Sequence, residues 1–294
     1  MAPRNGNGDP TTLPEMAAVP PDRIAALQQV PEFAGDSMYN HLDAARVLDY
    51  MKDRYVDAMA RRIDIRGATL CDCASGYGWL CFAFLLSGGG HATFVEVNRN
   101  KLVASQRMAE VLGLADRCTF TDEGMESLSY PDRHFDIFAT IETLEHVGRP
   151  NIAASIRNTV RLADRMIILT TPNLTFPLDF HDTHLPFAHW LPKPVRRHYA
   201  GRFGCDRTTF NDFVGPWELA PLFREFRPVT RVITFDSLKT WEASYPFYSP
   251  YGTVGWKRRP PLALKAYYAM SATLLGNFAF LINPSLCSVW VRRP

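Results

Sequence analysis

One stretch constrains this chain more than any other: a strand-like run breaks at a glycine-bearing turn and passes straight into an apolar helix. ATLCDC at 68–73 is followed by S-G-Y-G at 75–78 and then by WLCFAFLLSGGG at 79–90, which stops at its own glycines. The alternation continues. HATFVEV (91–97), RCTFT (117–121), FDIFATI (135–141) and RMIILTTP (165–172) read as strands. NRNKLVASQRMAEVLGL (98–114) and NIAASIRNTVRLA (151–163) read as helices between them. Strands and helices alternating at this spacing form right-handed βαβ units, so a doubly wound, mostly parallel α/β sheet is expected. VTRVITFDS (229–237) and SLCSVWVRR (285–293) are expected to add a terminal pair of strands.

Around this centre the texture differs. Residues 1–35 begin Pro/Gly-rich without an apolar core suited to a secretory signal, and are expected to be a flexible arm. The folded domain is expected over 36–294, opening on a helix whose start Asp36 or Ser37 caps. Residues 174–227, rich in proline, histidine and aromatics, are too long for a plain connection. Their end, 208–226, regains helical character. Residues 241–283 hold an aromatic loop, the basic step Lys257, Arg258 and Arg259, and an apolar segment from 262 to 282. That segment is expected to be a helix inserted before the last strand and buried against 174–227. A patch lying on a membrane surface is the alternative. Thirty-two basic against thirty acidic residues leave a net charge of +2, too little for nucleic-acid binding by bulk electrostatics. Six cysteines in this length, with no C-x-x-C pair, read as reduced core thiols, and a cytoplasmic setting is expected.

In an open parallel sheet, ligands collect beyond the carboxyl ends of the strands near the topological switch point. Gly76 and Gly78 allow close backbone approach there, and the helix that follows offers unpaired N–H groups. Glu96, eighteen residues beyond Gly78, ends the next strand and suits the two hydroxyls of a ribose. A nicotinamide site wants a third glycine where Cys81 stands, which argues against a dehydrogenase. Asp72, ending the first strand, can face an amino acid's ammonium group. Ribose plus amino acid points to S-adenosylmethionine.

The region 68–173 resembles a class I S-adenosylmethionine-dependent methyltransferase of the small-molecule type. D-C-A-S-G-Y-G at 72–78 is similar to the D-x-G-x-G-x-G loop, with Ala74 in place of the first glycine. F-D-I at 135–137, E-T-L-E-H-V at 142–147 and T-P-N at 171–173 match further signatures in order. The resemblance implies a seven-stranded Rossmann-like methyltransferase fold, with a substrate lid over 174–227 and a helical insertion before the last strand. It also implies a cofactor site of Asp72, Ala74, Ser75, Gly76, Gly78, Glu96, Val97, Gly124, Met125, Thr140 and Ile141. Met125 is expected against the adenine or, alternatively, in the core.

The sulfonium brings its own activation, so the protein must align the nucleophile and, for a hydroxyl, take its proton. His146, His181 and His184 are the candidate bases; His189 and His198 are assigned to packing and surface. The resemblance also implies a divalent-cation alternative at Glu142, Glu145 and His146, with a further histidine beyond the fifth strand. Ubiquinone-pathway and small-RNA methyltransferases use a similar carboxylate and imidazole set. Phe176, Phe180, Phe187, Trp190 and Tyr199 are candidates for a substrate wall or for the lid's own core, and Arg196, Arg197 and Arg202 for meeting an acidic substrate or, more commonly, for solvated surface. Methyl transfer is expected at oxygen of a small or lipid-linked acceptor, with peripheral membrane contact as an accompaniment and no nucleic-acid partner. The rivals are transfer to nitrogen or carbon, and a catalytically inactive binding protein of the same fold. Neither the acceptor nor the oligomeric state is written in the sequence.

Overall fold

A computed structural model describes residues 13–207, 209–244 and 260–294. The chain opens with α1 (Pro21–Gln28), α2 (Pro31–Ala34) and α3 (Ala44–Met51). α3 runs through a π-helical turn, Lys52–Val56, into α4 (Asp57–Ala60). β1 (Thr69–Cys73), α5 (Trp79–Leu86), β2 (His91–Val95), α6 (Arg99–Leu112), β3 (Cys118–Thr121), β4 (Phe135–Ile141), α7 (Ile152–Leu162) and β5 (Ala163–Thr170) follow. The last part holds α8 (Lys193–Gly201), α9 (Ala220–Glu225), β6 (Phe226–Pro228), α10 (Leu238–Ser244), α11 (Leu262–Leu275) and β7 (Ser288–Arg292).

The sheet has seven strands in the order β3-β2-β1-β4-β5-β7-β6, parallel except that β7 runs antiparallel to both β5 and β6. This is the expected seven-stranded Rossmann-like architecture. The chain leaves β1 toward β2 on one side and reaches β4 on the other, so the switch point lies between β1 and β4. One face of the sheet packs on a core built with the N-terminal helices, α5 and α6; Phe33, Val47, Met59, Phe82 and Met108 are buried there. The other face packs on α7, α9 and the 262–282 insertion through Phe138, Ile156, Leu222, Phe280 and Trp290. α5 is buried on almost every side, which explains its unbroken apolar run. Asp136 of the F-D-I signature ties β4 to β1: its Oδ2 accepts from the Thr69 amide at 2.9 Å and from the Thr69 hydroxyl at 3.1 Å. All six cysteines are free thiols, four of them buried, as their spacing implied.

Four expectations need correction. The expected arm of 1–35 is folded from Pro21 onward: Leu27, Val30 and Phe33 are buried, and the Phe33 ring meets Tyr77 edge-on at 4.9 Å. These helices are too short to hold alone, and burial against α6 and Tyr77 supplies what local propensity lacks. Before them the Ala17 amide already donates to the Leu86 carbonyl. The first long helix starts at Asp43, whose carboxylate accepts from the Arg46 amide, because Asp36 spends its own carboxylate on the Met38 amide and the Tyr77 hydroxyl. The expected strand over 229–237 is displaced to Phe226–Pro228, and 232–235 close a turn instead. Among the described residues of 208–226 only a 3-10 turn, Pro216–Leu219, and α9 are helical, the proline sitting at the turn's first position.

The insertion lies between the last two strands, as expected, but is not enclosed. In α11 Tyr268 and Ser271 are buried, while Leu262 is 81% and Leu274 70% exposed. Tyr267 meets Phe176, of the 174–227 segment, edge-on at 5.9 Å. Among the described residues no helix is long and apolar enough to cross a membrane. Residues 1–12, the aromatic loop from 245, and Lys257, Arg258 and Arg259 lie outside the described residues.

Candidate active site

The turn after β1 is built around two different uses of glycine. Gly76 has φ +58° with open space where a Cβ would stand, leaving its surface free for a ligand. Gly78, at φ +80°, opens α5 beneath the Phe94 ring, and an added Cβ would collide with that ring and touch Phe82. Gly78→Ala is therefore expected to cost about 2–5 kcal/mol, from left-handed strain and overpacking together. Gly76→Ala should cost only about 1 kcal/mol of stability. Urea denaturation of the two variants compares them directly. Ala74, in place of the usual first glycine, itself holds φ +58°, so the chain tolerates a methyl in a left-handed position here.

Glu96 is buried at the tip of β2 and clamps the turn. One carboxylate oxygen accepts from the Gly76 amide at 2.9 Å, the other from the Asn98 amide at 2.7 Å. The next residue, Val97, is 70% exposed and stands on the open rim. Ser75 is anchored through its amide to the Val95 carbonyl, while its hydroxyl is buried without a partner. Asp72 is also buried, and burial together with the Glu96 charge pushes its carboxyl up to about 8. The Cys81 thiol, where a dehydrogenase carries glycine, points at Asp72 Oδ2 from 3.9 Å. Asp72 and Glu96 thus lie near enough for the charge of one to disfavour the charge of the other. That is an environment suited to a cationic ligand.

The remaining cofactor candidates divide. Met125 is buried, with its sulfur 3.9 Å from the Thr140 hydroxyl and its carbonyl accepting from Asn158. Thr140 is likewise buried, whereas Ile141, at the end of β4, is partly open. Gly124 sits partly open beside the Glu126 carboxylate, and Asp122, beyond the end of β3, is exposed.

Beyond β4 and β5 a second cluster forms. The T-P-N signature acquires a physical role: the Thr171 hydroxyl donates to Glu145 Oε2 at 2.9 Å, and Asn173 donates to the Leu281 and Asn283 carbonyls. Glu145 Oε1 is buried without a hydrogen bond, and two imidazoles face it: His181 Nε2 at 3.4 Å and His146 Nε2 at 3.7 Å. Glu142 lies 3.9 Å from His181 and holds an unfavourable φ of +49°, pinned by hydrogen bonds to Thr170. Burial and the Glu142 charge hold the Glu145 carboxyl well above the usual carboxylate range. Burial and the neighbouring His181 keep His146 below the ordinary imidazole value. His181 goes the other way: burial works against its charge, but Asp182 and the two glutamates outweigh it. The Thr143 hydroxyl donates to the Cys73 carbonyl at 3.1 Å, joining this cluster to the glycine turn.

Of the three histidine candidates the fold brings His146 and His181 together and leaves His184 exposed on its own loop, at φ +57°. His189 packs, stacked on Phe213 at 4.8 Å, and His198 is exposed, as assigned. Arg196 departs from its surface assignment: it is buried, donating to the His189 carbonyl at 2.6 Å with its guanidinium over Phe210. Phe180, Phe187 and Trp190 are about half exposed, so they are not enclosed as a lid core. The sequence reading passed over Asp182. This buried carboxylate accepts from Arg207, from the Asn211 amide and side chain, and holds His181 Nδ1 at 3.1 Å. Adjacency to His181 was its only trace in the sequence. Asn211 and Arg207, nearly thirty residues away, left none.

Residues 70–165 match the family described as a methyltransferase domain. The chain is 29% identical over 128 residues to the ubiquinone/menaquinone biosynthesis C-methyltransferase UbiE of Roseobacter denitrificans, covering 43% of this chain and 50% of that protein. It is 27% identical over 130 residues to UbiE of Allorhizobium ampelinum, at 43% and 50% coverage. The chain thus spans about half the length of the curated relatives it matches. Among solved structures it is similar to the magnesium protoporphyrin IX methyltransferase ChlM of Synechocystis with bound S-adenosylhomocysteine. The TM-score is 0.44 at 16% identity, covering 63% of this chain and 75% of that one. Residues 70–165 are a methyltransferase domain of the class I S-adenosylmethionine-dependent superfamily.

Proposed function

We propose that this chain transfers the methyl group of S-adenosylmethionine to an oxygen of a small or lipid-like acceptor. The observation that carries the reading is the convergence of His146 and His181 on Glu145, at the carboxyl ends of β4 and β5 and one hydrogen bond from the glycine turn. The cofactor's ribose belongs on Glu96, its ammonium near Asp72, and its adenine toward the rim at Val97. Asp182 fixes His181 by Nδ1, leaving Nε2 turned to the glutamates. His146, half exposed and of lowered basicity, is neutral at physiological pH and can take the acceptor's proton as the oxygen attacks the methyl carbon. The exposed apolar side chains of Leu262, Leu274 and Phe278 support a lipid-like acceptor and contact with a membrane surface. Carbon transfer is the alternative, supported by the C-methyltransferase relatives. Deuterated-methyl product analysis separates the two.

The expected pH profile follows from His146. A lowered imidazole value keeps the base neutral down to below pH 6.5, so turnover should stay level through pH 7 and fall only under more acid conditions. S-adenosylhomocysteine release measured from pH 5 to 8 checks this. A rate that keeps falling tenfold per pH unit from pH 8 to 6.5 would remove His146 from the role.

The cluster also fits a divalent cation. Ligand atoms of Glu145, His146 and His181 lie within 4.8 Å of one another, and Glu145 Oε1 is a buried acceptor with no hydrogen bond. These residues would hold the ion, which when bound supplies Lewis acidity that lowers an acceptor hydroxyl's pKa. Turnover is then expected to vanish in EDTA and return with Mg²⁺ or Mn²⁺. Unchanged turnover in chelator leaves the imidazole alone as the base.

A further inference from the structure

Methyl transfer as described leaves Arg54 without a task. Arg54 projects from the π-helical turn Lys52–Val56, an irregularity that often marks functional positions in helices. Its Nε is buried without a hydrogen-bond partner. The rings of Tyr50 and Tyr55 flank its guanidinium at 5.7 and 5.8 Å, and among the described residues no carboxylate comes within ion-pair distance. A partly buried guanidinium with no carboxylate in ion-pair range gives up hydration without a counter-charge, and an arriving anion supplies one.

Arg54 lines a cavity of about 60 Å³ with Glu142, Thr170, Asn283 and Ser285. That is the volume of about two waters, so the space takes the end group of a larger molecule. The Asn283 amide faces it with its Oδ1 buried and unpartnered, and turning the amide end over end would present Nδ2 as a donor. Glu142 belongs to both regions: it lines this cavity and lies 3.9 Å from His181. One of its oxygens accepts from the Thr170 hydroxyl, itself part of the cavity wall, and the other lies toward the imidazole. The cavity therefore adjoins the acceptor end of the site, beside β5 and β7, and not the glycine turn.

We propose that Arg54 receives an oxyanion, a carboxylate or phosphate, carried by the methyl acceptor, so that the acceptor is an acidic molecule held by its charged end in this cavity. The proposal rests on the methyltransferase reading above. A planar fork matches either group in a bidentate way that lysine reproduces only partly.

Calorimetry on the full chain saturated with S-adenosylhomocysteine tests it, with benzoate and inorganic phosphate as separate probes. At least one probe is expected to bind the wild type in the millimolar range or tighter. Arg54→Met should weaken that binding at least tenfold, Arg54→Lys should restore part of it, and the affinity for S-adenosylhomocysteine should stay within twofold in both. Binding of neither probe to the wild type, or equal binding to wild type and Arg54→Met, overturns the proposal. An equal loss of S-adenosylhomocysteine affinity in Arg54→Met also overturns it, because the guanidinium would then serve the cofactor's own carboxylate. A wild type that fails to bind S-adenosylhomocysteine refutes the underlying methyltransferase reading instead, so the two failures are distinguishable.

Discussion

Replacing Glu96 with alanine is expected to raise the Kd for S-adenosylhomocysteine by about 100-fold or more. Two ribose hydroxyls donating to one carboxylate contribute roughly 1.5–3 kcal/mol each, and tenfold corresponds to about 1.4 kcal/mol. The same carboxylate holds the Gly76 and Asn98 amides, so its loss also frees the turn that must approach the ligand. Glu96→Gln keeps the shape but not the charge, and one amide must lose its acceptor; an intermediate loss is expected. Calorimetry with a circular dichroism control for folding measures both. A Kd within threefold of wild type for the alanine variant would show that the ribose does not sit on this residue.

Asp72→Asn should do two opposite things. The folded-state pKa of Asp72 is raised to about 8, against an ordinary value of 3.8. The native state therefore keeps a proton that the unfolded chain releases, and stability present below pH 4 is lost as pH rises toward 8. At about 1.4 kcal/mol per unit the ceiling on this loss is near 6 kcal/mol. Asparagine carries no such burden. The ligand-free variant should match wild type near pH 4 and melt several degrees higher at pH 8, with the gap widening between. It should also bind S-adenosylhomocysteine about tenfold more weakly, having lost the charge that faces the ligand's ammonium. Melting curves across pH decide the first part. A gap that does not change with pH would mean that the carboxylate is solvated in the native state.

Much of the central fold was legible because its signals are local. Alternating apolar runs mark strands within two residues of where they form, and the glycines of 75–78 mark the turn whatever surrounds it. The N-terminal segment misled for the opposite reason. Pro20, Pro21 and Pro31 and a weak period read as an arm, yet Leu27 and Phe33 are held by α6, Tyr77 and Trp79, partners at least forty residues away. Displacement of the strand expected at 229–237 has the same origin: β6 pairs only where β7 presents an edge, and Val232 is drawn into a separate cluster with Phe235, Trp241 and Tyr268.

The candidate site divides along the same line. Asp72, Gly76, Gly78 and Glu96 lie on one strand-turn-helix-strand unit, so their order along the chain already implied that they meet. His181 came with His146 and His184 as an undivided set of candidates. Its selection needed Glu145 from the end of β4, Thr171 from the end of β5 and Asn211 from a distant loop. Arg54 gave no sign at all, since an arginine in an amphipathic helix ordinarily reaches solvent.

By itself, then, the sequence determined the doubly wound sheet, its switch point and the glycine turn with Asp72 and Glu96 beside it, because these depend on periodicity, turn chemistry and short spacing. Only the tertiary structure decided which imidazoles share Glu145 and which guanidinium sits between two tyrosine rings. Burial and electrostatic partnership are properties of how separate segments pack, and no single segment carries them.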